Sequence, residues 1–89
     1  MNNVLSERDT KAVFRILTEQ LGVQEAQLTP DARLKEDLGA DSLDVVEIIM
    51  SADEHFHISI PDKSAERVAT VQDLLEVLAE LLEQAGRPA

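Results

Sequence analysis

Apolar residues in this chain recur at helical spacing in three places, and nowhere do they alternate for long enough to make a strand. The first set is Val13, Ile16, Leu17 and Leu21, on one side of a helix running from about Glu7 to Leu21. Ser6, with Asp9 three residues on, resembles a capping box at its start, and Gly22 stops it. Phe14 lies about 100° round from Val13, at the edge of the inward face.

The second helix, Ser42 to about Phe56, carries two stripes instead of one. With Ser42 at 0° and about 100° added per residue, Val45, Ile48, Ile49, Ala52 and Phe56 gather between about 240° and 340°. Leu43, Val46 and Met50 gather between about 40° and 100°, flanked by Glu47 and Glu54, with Asp53 near about 20°. One stripe is enough to seat a helix in a small bundle. The other either packs on a further helix of the same bundle or faces outward, an apolar strip rimmed with acids and reserved for a partner. The pattern alone leaves both open.

The third set is Val71, Leu74, Leu75, Leu78, Leu81 and Leu82, in a helix capped by Thr70 with Asp73 and running to about Gln84, before Gly86 and Pro88. Ahead of it, Ile58-Ser59-Ile60-Pro61 is an extended connector that buries Ile58 or Ile60, and Asp62 is placed to cap a short helix, Lys63 to Arg67. Residues 23–41 hold no sustained period. Thr29-Pro30-Asp31 marks a turn there, and Leu28, Leu34 and Leu38 are spaced to pin a long loop to the domain. The expected fold is all-α: a small up-and-down bundle of three main helices plus one short helix, with no sheet.

The chain has 89 residues, enough for one small domain, with its core expected over about residues 7–84. There is no cysteine, so any thiol chemistry needs a sulfur that the chain does not encode. No apolar run approaches a membrane span and the first residues lack a signal peptide's regions, so a cytoplasmic protein without membrane insertion is expected. The net charge of −10, from 18 acids against 8 bases, argues against nucleic acid or an anionic membrane as partner. Acids are concentrated: from Glu36 to Asp62 there are Glu36, Asp37, Asp41, Asp44, Glu47, Asp53, Glu54 and Asp62, with no lysine or arginine among them. Such a block is either a solvated face or a field that steers basic partners.

At the centre of that block lies Leu38-Gly39-Ala40-Asp41-Ser42-Leu43-Asp44. Gly39 lets the backbone turn, Asp41 is a good N-cap, and Ser42 falls in the first helical turn, near the positive end of the helix dipole. Ser42 is no hydrolytic nucleophile, because His55 and His57 stand more than three turns away, out of reach as a base. Nor do His55 and His57 with Asp53, Glu54 and Asp62 make a metal site, since positions two apart on a helix diverge by about 200°. A carrier remains, in which a separate enzyme loads a phosphate-linked group onto the Ser42 hydroxyl. Asp41 and Asp44 oppose a phosphate dianion there more than a singly charged phosphodiester. The competing view is an unmodified acidic helical interaction module, in which Ser42 merely starts a helix.

The run Asp37-Leu38-Gly39-Ala40-Asp41-Ser42-Leu43-Asp44, with Val46-Glu47, Met50, Phe56 and Ile60-Pro61-Asp62, resembles the acyl carrier proteins of type II fatty acid synthesis. The resemblance covers about residues 8 to 83, including Glu19-Gln20-Leu21-Gly22-Val23. It implies a single, free-standing, monomeric acyl carrier domain over residues 1–89, with no catalysis of its own. Ser42, preceded by Asp41, matches the attachment serine, which a phosphopantetheinyl transferase loads with 4'-phosphopantetheine from coenzyme A. The arm's thiol then holds acyl groups as thioesters. By position, Asp41, Asp44, Glu47 and Glu54 supply charge, and Leu43, Val46 and Met50 apolar contact, toward basic-surfaced synthases, reductases and acyltransferases. Val45, Ala52, Val68 and Leu74 match positions that line the family's acyl cavity. Three features depart from the common pattern: His55 and His57 stand where acids are usual, Ala52 replaces a larger aliphatic residue, and Val45 is more apolar than the usual Thr. They leave room for a carrier in a polyketide or other lipid pathway. Gly-Ala-Asp-Ser differs from the Gly-Gly-His-Ser type of motif typical of peptidyl carriers.

Overall fold

The computed structural model describes residues 5–86. Four helices follow in order: α1 (Glu7–Leu21), α2 (Ser42–Phe56), α3 (Asp62–Glu66) and α4 (Val71–Gln84), with a 3₁₀ turn at Glu25–Gln27 inside the long loop. They form the all-α bundle of three main helices and one short one that the periodicity predicts.

Local chemistry accounts for the ends. Ser6 Oγ accepts the Asp9 N–H at 3.2 Å, so half of the expected capping box forms at α1. Gly22 ends that helix at φ +67° and donates its N–H to the Thr18 carbonyl at 2.9 Å. At α4 both halves form: Thr70 Oγ1 accepts the Asp73 N–H at 3.1 Å, and Asp73 Oδ2 accepts the Thr70 N–H at 3.0 Å. The short helix needs correction. Asp62 does not cap it; Pro61 is the N-cap, and its carbonyl accepts the Ala65 N–H at 2.9 Å. The helix therefore starts one residue earlier than Asp62 capping predicts, and Asp62 sits in its first turn, beside the positive end.

The core forms around α4, which buries Val71, Leu74, Val77, Leu78, Ala79 and Leu82. Leu75 and Leu81, expected inward, are only half-buried, while Val77 and Ala79 are inside. The buried front of α4 is about 200° wide, broader than a single stripe. Val13 and Leu17 of α1 and Ile48, Ala52 and Phe56 of α2 meet it, with Ile16, Leu21, Val45 and Ile49 packed at the margin. Of the connector's two isoleucines, Ile60 is buried and Ile58 half-buried.

The long loop is pinned to the domain by buried leucines and backbone hydrogen bonds. Leu28, Leu34 and Leu38 are all buried. Leu34 donates its N–H to the Ala69 carbonyl at 2.9 Å, while the Val71 and Gln72 N–H groups reach the Ala32 and Pro30 carbonyls at 3.0 and 2.9 Å. Two of the otherwise unsatisfied N–H groups at the start of α4 thus find partners in the loop. The Ala40 N–H bonds back to the Leu34 carbonyl at 2.9 Å, which anchors the backbone just before α2.

Candidate functional site at the start of α2

Asp41 and Asp44 close a reciprocal capping box at the start of α2. Asp41 Oδ1 accepts the Asp44 N–H at 2.8 Å, and Asp44 Oδ2 accepts the Asp41 N–H at 3.1 Å. The Val45 N–H begins the helical ladder on the Asp41 carbonyl at 3.1 Å. Ser42, the first helical residue, is exposed. Among the described residues its hydroxyl has no hydrogen-bond partner, and neither do the Ser42 and Leu43 N–H groups. An uncommitted primary hydroxyl thus stands beside two free backbone donors at the positive end of a helix. Gly39 brings the chain in at φ +76°, and an added Cβ there meets nothing within 4 Å. Glycine is required by the backbone angle, not by lack of room.

Gln20 of α1 reaches across to this helix. Its Nε2 donates to Asp44 Oδ1 at 3.1 Å and to Glu47 Oε1 at 2.7 Å. The Asp41 N–H and the Gln20 amide together hold the Asp44 carboxyl below the usual carboxylate range, so it stays ionised at neutral pH. No local pattern pointed to Gln20, because its partners lie 24 and 27 residues away.

The second stripe of α2 faces outward. Leu43, Val46 and Met50 are 65%, 51% and 62% exposed. Asp41, Glu47 and Glu54 are exposed around it and Asp44 is half-buried. The residues expected to line an acyl cavity point the other way: Ala52 and Leu74 lie in the core, with Val45 and Val68 packed against it.

The far end of α2 was less legible. His57 is the C-cap, at φ +56°, with its N–H on the Asp53 carbonyl. Asp53 Oδ1 accepts the Ile60 N–H at 3.0 Å, so this carboxylate serves the connector. The His55 ring stands edge-on to Phe56, centroids 4.8 Å apart at 83°.

A family profile for the phosphopantetheine attachment site matches residues 11–78, a span that holds this whole arrangement. The chain belongs to that family. It is a phosphopantetheine-binding carrier, and it is non-catalytic. The carrier's fold is similar to that of the acyl carrier protein from Enterococcus faecalis, with a TM-score of 0.73 and 26% identity. The alignment covers 91% of this chain and 99% of that one. A carrier of this kind requires a phosphopantetheinyl transferase and enzymes that process what it carries. No helix among the described residues is long and apolar enough to cross a membrane.

The residues at the start of α2 fit the group. A phosphodiester link needs a reachable hydroxyl, which Ser42 has, and the two free N–H groups would favour its single negative charge.

Proposed function

We propose that Ser42 is the attachment residue and that the carrier holds acyl groups for fatty acid synthesis or a related lipid or polyketide pathway. The observation that carries this reading is the unpartnered, exposed hydroxyl on the first residue of α2, beside the Asp41–Asp44 cap and the outward strip. When bound, the arm supplies the thiol that this cysteine-free chain lacks, and acyl groups ride on it as thioesters. The Ser42 oxygen bonds to the pantetheine-bearing phosphorus of coenzyme A as the pyrophosphate P–O bond breaks, and adenosine 3',5'-bisphosphate leaves. The Ser42 proton leaves to a base of the transferase: His55 lies about 20 Å along the helix, and the Asp41 and Asp44 carboxylates are committed as acceptors in the capping box. Leu43, Val46 and Met50, with Asp41, Asp44, Glu47 and Glu54, form the surface on which basic partner enzymes dock: charge steers, and the apolar strip is buried on contact. Val45, Ala52, Val68 and Leu74 border the space that opens for an acyl chain between the helices. Residues 1–89 act as one acyl carrier domain.

Incubation with coenzyme A, magnesium and a broad-specificity phosphopantetheinyl transferase tests the assignment. Intact mass should rise by one phosphopantetheine, and Ser42→Ala should stay unmodified. A mass gain that persists in Ser42→Ala moves the attachment elsewhere. No gain with several transferases leaves an unmodified interaction module. Mass spectrometry of the protein from its native cells then reads the cargo.

A further inference from the structure

Eight lysines and arginines oppose 18 acids in this chain, and three of them share one face of α1. Arg8, Lys11 and Arg15, with Ala12 between them, fall within about 100° of the helix circumference. His55 of α2 joins them: Arg8, Lys11, Ala12, Arg15 and His55 line a groove of about 340 Å³. A second groove, about 410 Å³, shares Ala12, Arg15 and His55, takes in Ile16, and ends at Glu19 and Glu54. The two form a trough between α1 and α2 at the end of α2 remote from Ser42.

The cations here are not spent on the chain's own acids. Among the described residues neither Arg8 nor Arg15 has an acidic partner, and Lys11 has only an exposed contact with Glu7 at 4.0 Å. Arg8, Lys11, Arg15 and His55 are all exposed. The His55 ring stands edge-on to buried Phe56 at the rim.

The layout selects the ligand class. Arg8 and Arg15 stand about 10 Å apart along the axis, so the charges form a row instead of surrounding a point. One small anion engages only part of such a row. Several carboxylates spaced along a polypeptide match it, with an apolar side chain over Ala12 and Ile16. A second copy of this chain is a poor occupant, because each copy carries a net charge of −10. We propose that the trough docks an acidic segment of a partner protein, beside the outward strip of α2, whose rim it meets at Glu54. The carrier then presents opposite charge at its two ends, which orients it in a partner's field as well as attracting it.

The test uses the full chain and a fluorescein-labelled nonapeptide with glutamates at alternate positions and one central leucine. Fluorescence anisotropy at low ionic strength should show binding that weakens with added salt. The double variant Arg8→Gln/Arg15→Gln should bind at least roughly tenfold more weakly, and His55→Ala should weaken binding less. Backbone amide shifts on titrating the wild type should concentrate at residues 8–16 and 55, and phosphopantetheinyl loading of the double variant should stay within about twofold of wild type. Glutamine is a comparable helix former to arginine, so circular dichroism should be unchanged; if it is not, the wild-type shift map decides alone. Absence of binding, equal binding by the double variant, or shifts centred elsewhere overturns the proposal. Inorganic phosphate that displaces the peptide at comparable concentration with the same shift map also overturns it, in favour of a free-anion site.

Discussion

Gln20 holds Asp44 from across the α1–α2 interface, with Nε2 3.1 Å from Oδ1. The second hydrogen of the same amide goes to Glu47 Oε1 at 2.7 Å. One neutral side chain thus fixes two neighbouring carboxylates that otherwise repel, and ties the cap of α2 to α1. Acids already held in place lose less freedom when a basic surface meets them.

Gln20→Ala removes that tie. The Asp44 carboxyl, released from one of its donors, should titrate at higher pH, visible in the side-chain carboxyl carbon by NMR. Phosphopantetheinyl loading should slow several-fold while far-ultraviolet circular dichroism stays the same. An unchanged Asp44 titration would show that Gln20 does not reach it in solution.

Acid should weaken the fold through two named carboxyls. Asp37 is held below the usual range by hydrogen bonds from the Arg33 guanidinium and the Arg33 backbone N–H, and Asp44 by the Asp41 N–H and Gln20. Both titrate lower folded than unfolded. Their contribution is complete above the ordinary value of 3.8 and is lost as pH falls from there through the folded-state values. Urea midpoints should therefore decline through that acid window, and Asp37→Asn with Asp44→Asn should flatten the decline.

The two stripes of α2 separate under substitution. Ile48 is 1% exposed and Met50 62%. Ile48→Ala should cost about 2–5 kcal/mol, a large share of what a small domain has. Met50→Ala should stay within about 0.5 kcal/mol in urea unfolding yet weaken docking to a basic partner enzyme. Glu47→Lys should weaken the same docking, less so at high salt. A melted Met50→Ala would place the second stripe in the core after all.

His57→Gly should stabilise the protein. A residue with a Cβ at φ +56° carries about 1–2 kcal/mol of strain, and the greater freedom of glycine when unfolded returns part of that. The net gain expected in thermal unfolding is about 0.5–1 kcal/mol.

Helix existence and most helix ends were legible in the sequence, because they depend on residues three or four apart. Ser6, Asp41 and Thr70 each accept from the N–H three positions on, and Gly22 takes the left-handed angle that ends α1. The same local count separated Leu43, Val46 and Met50 from the core stripe and set Ser42 at the helix start. The end of α2 at Phe56 was legible too, but not its left-handed cap at His57, because histidine seldom adopts a positive φ. The start of α3 shifted by one because the first ladder bond rises from Pro61.

The sequence by itself determined the helices, their apolar faces and the hydroxyl at the head of α2, since each follows from backbone geometry and near neighbours. Only the tertiary structure decided that the second stripe of α2 meets no helix, that Leu34 is clipped to Ala69, and that Gln20 reaches Asp44. It also brought His55 to the row formed by Arg8, Lys11 and Arg15. These are contacts between residues distant in the chain, and no local periodicity encodes which of them will meet.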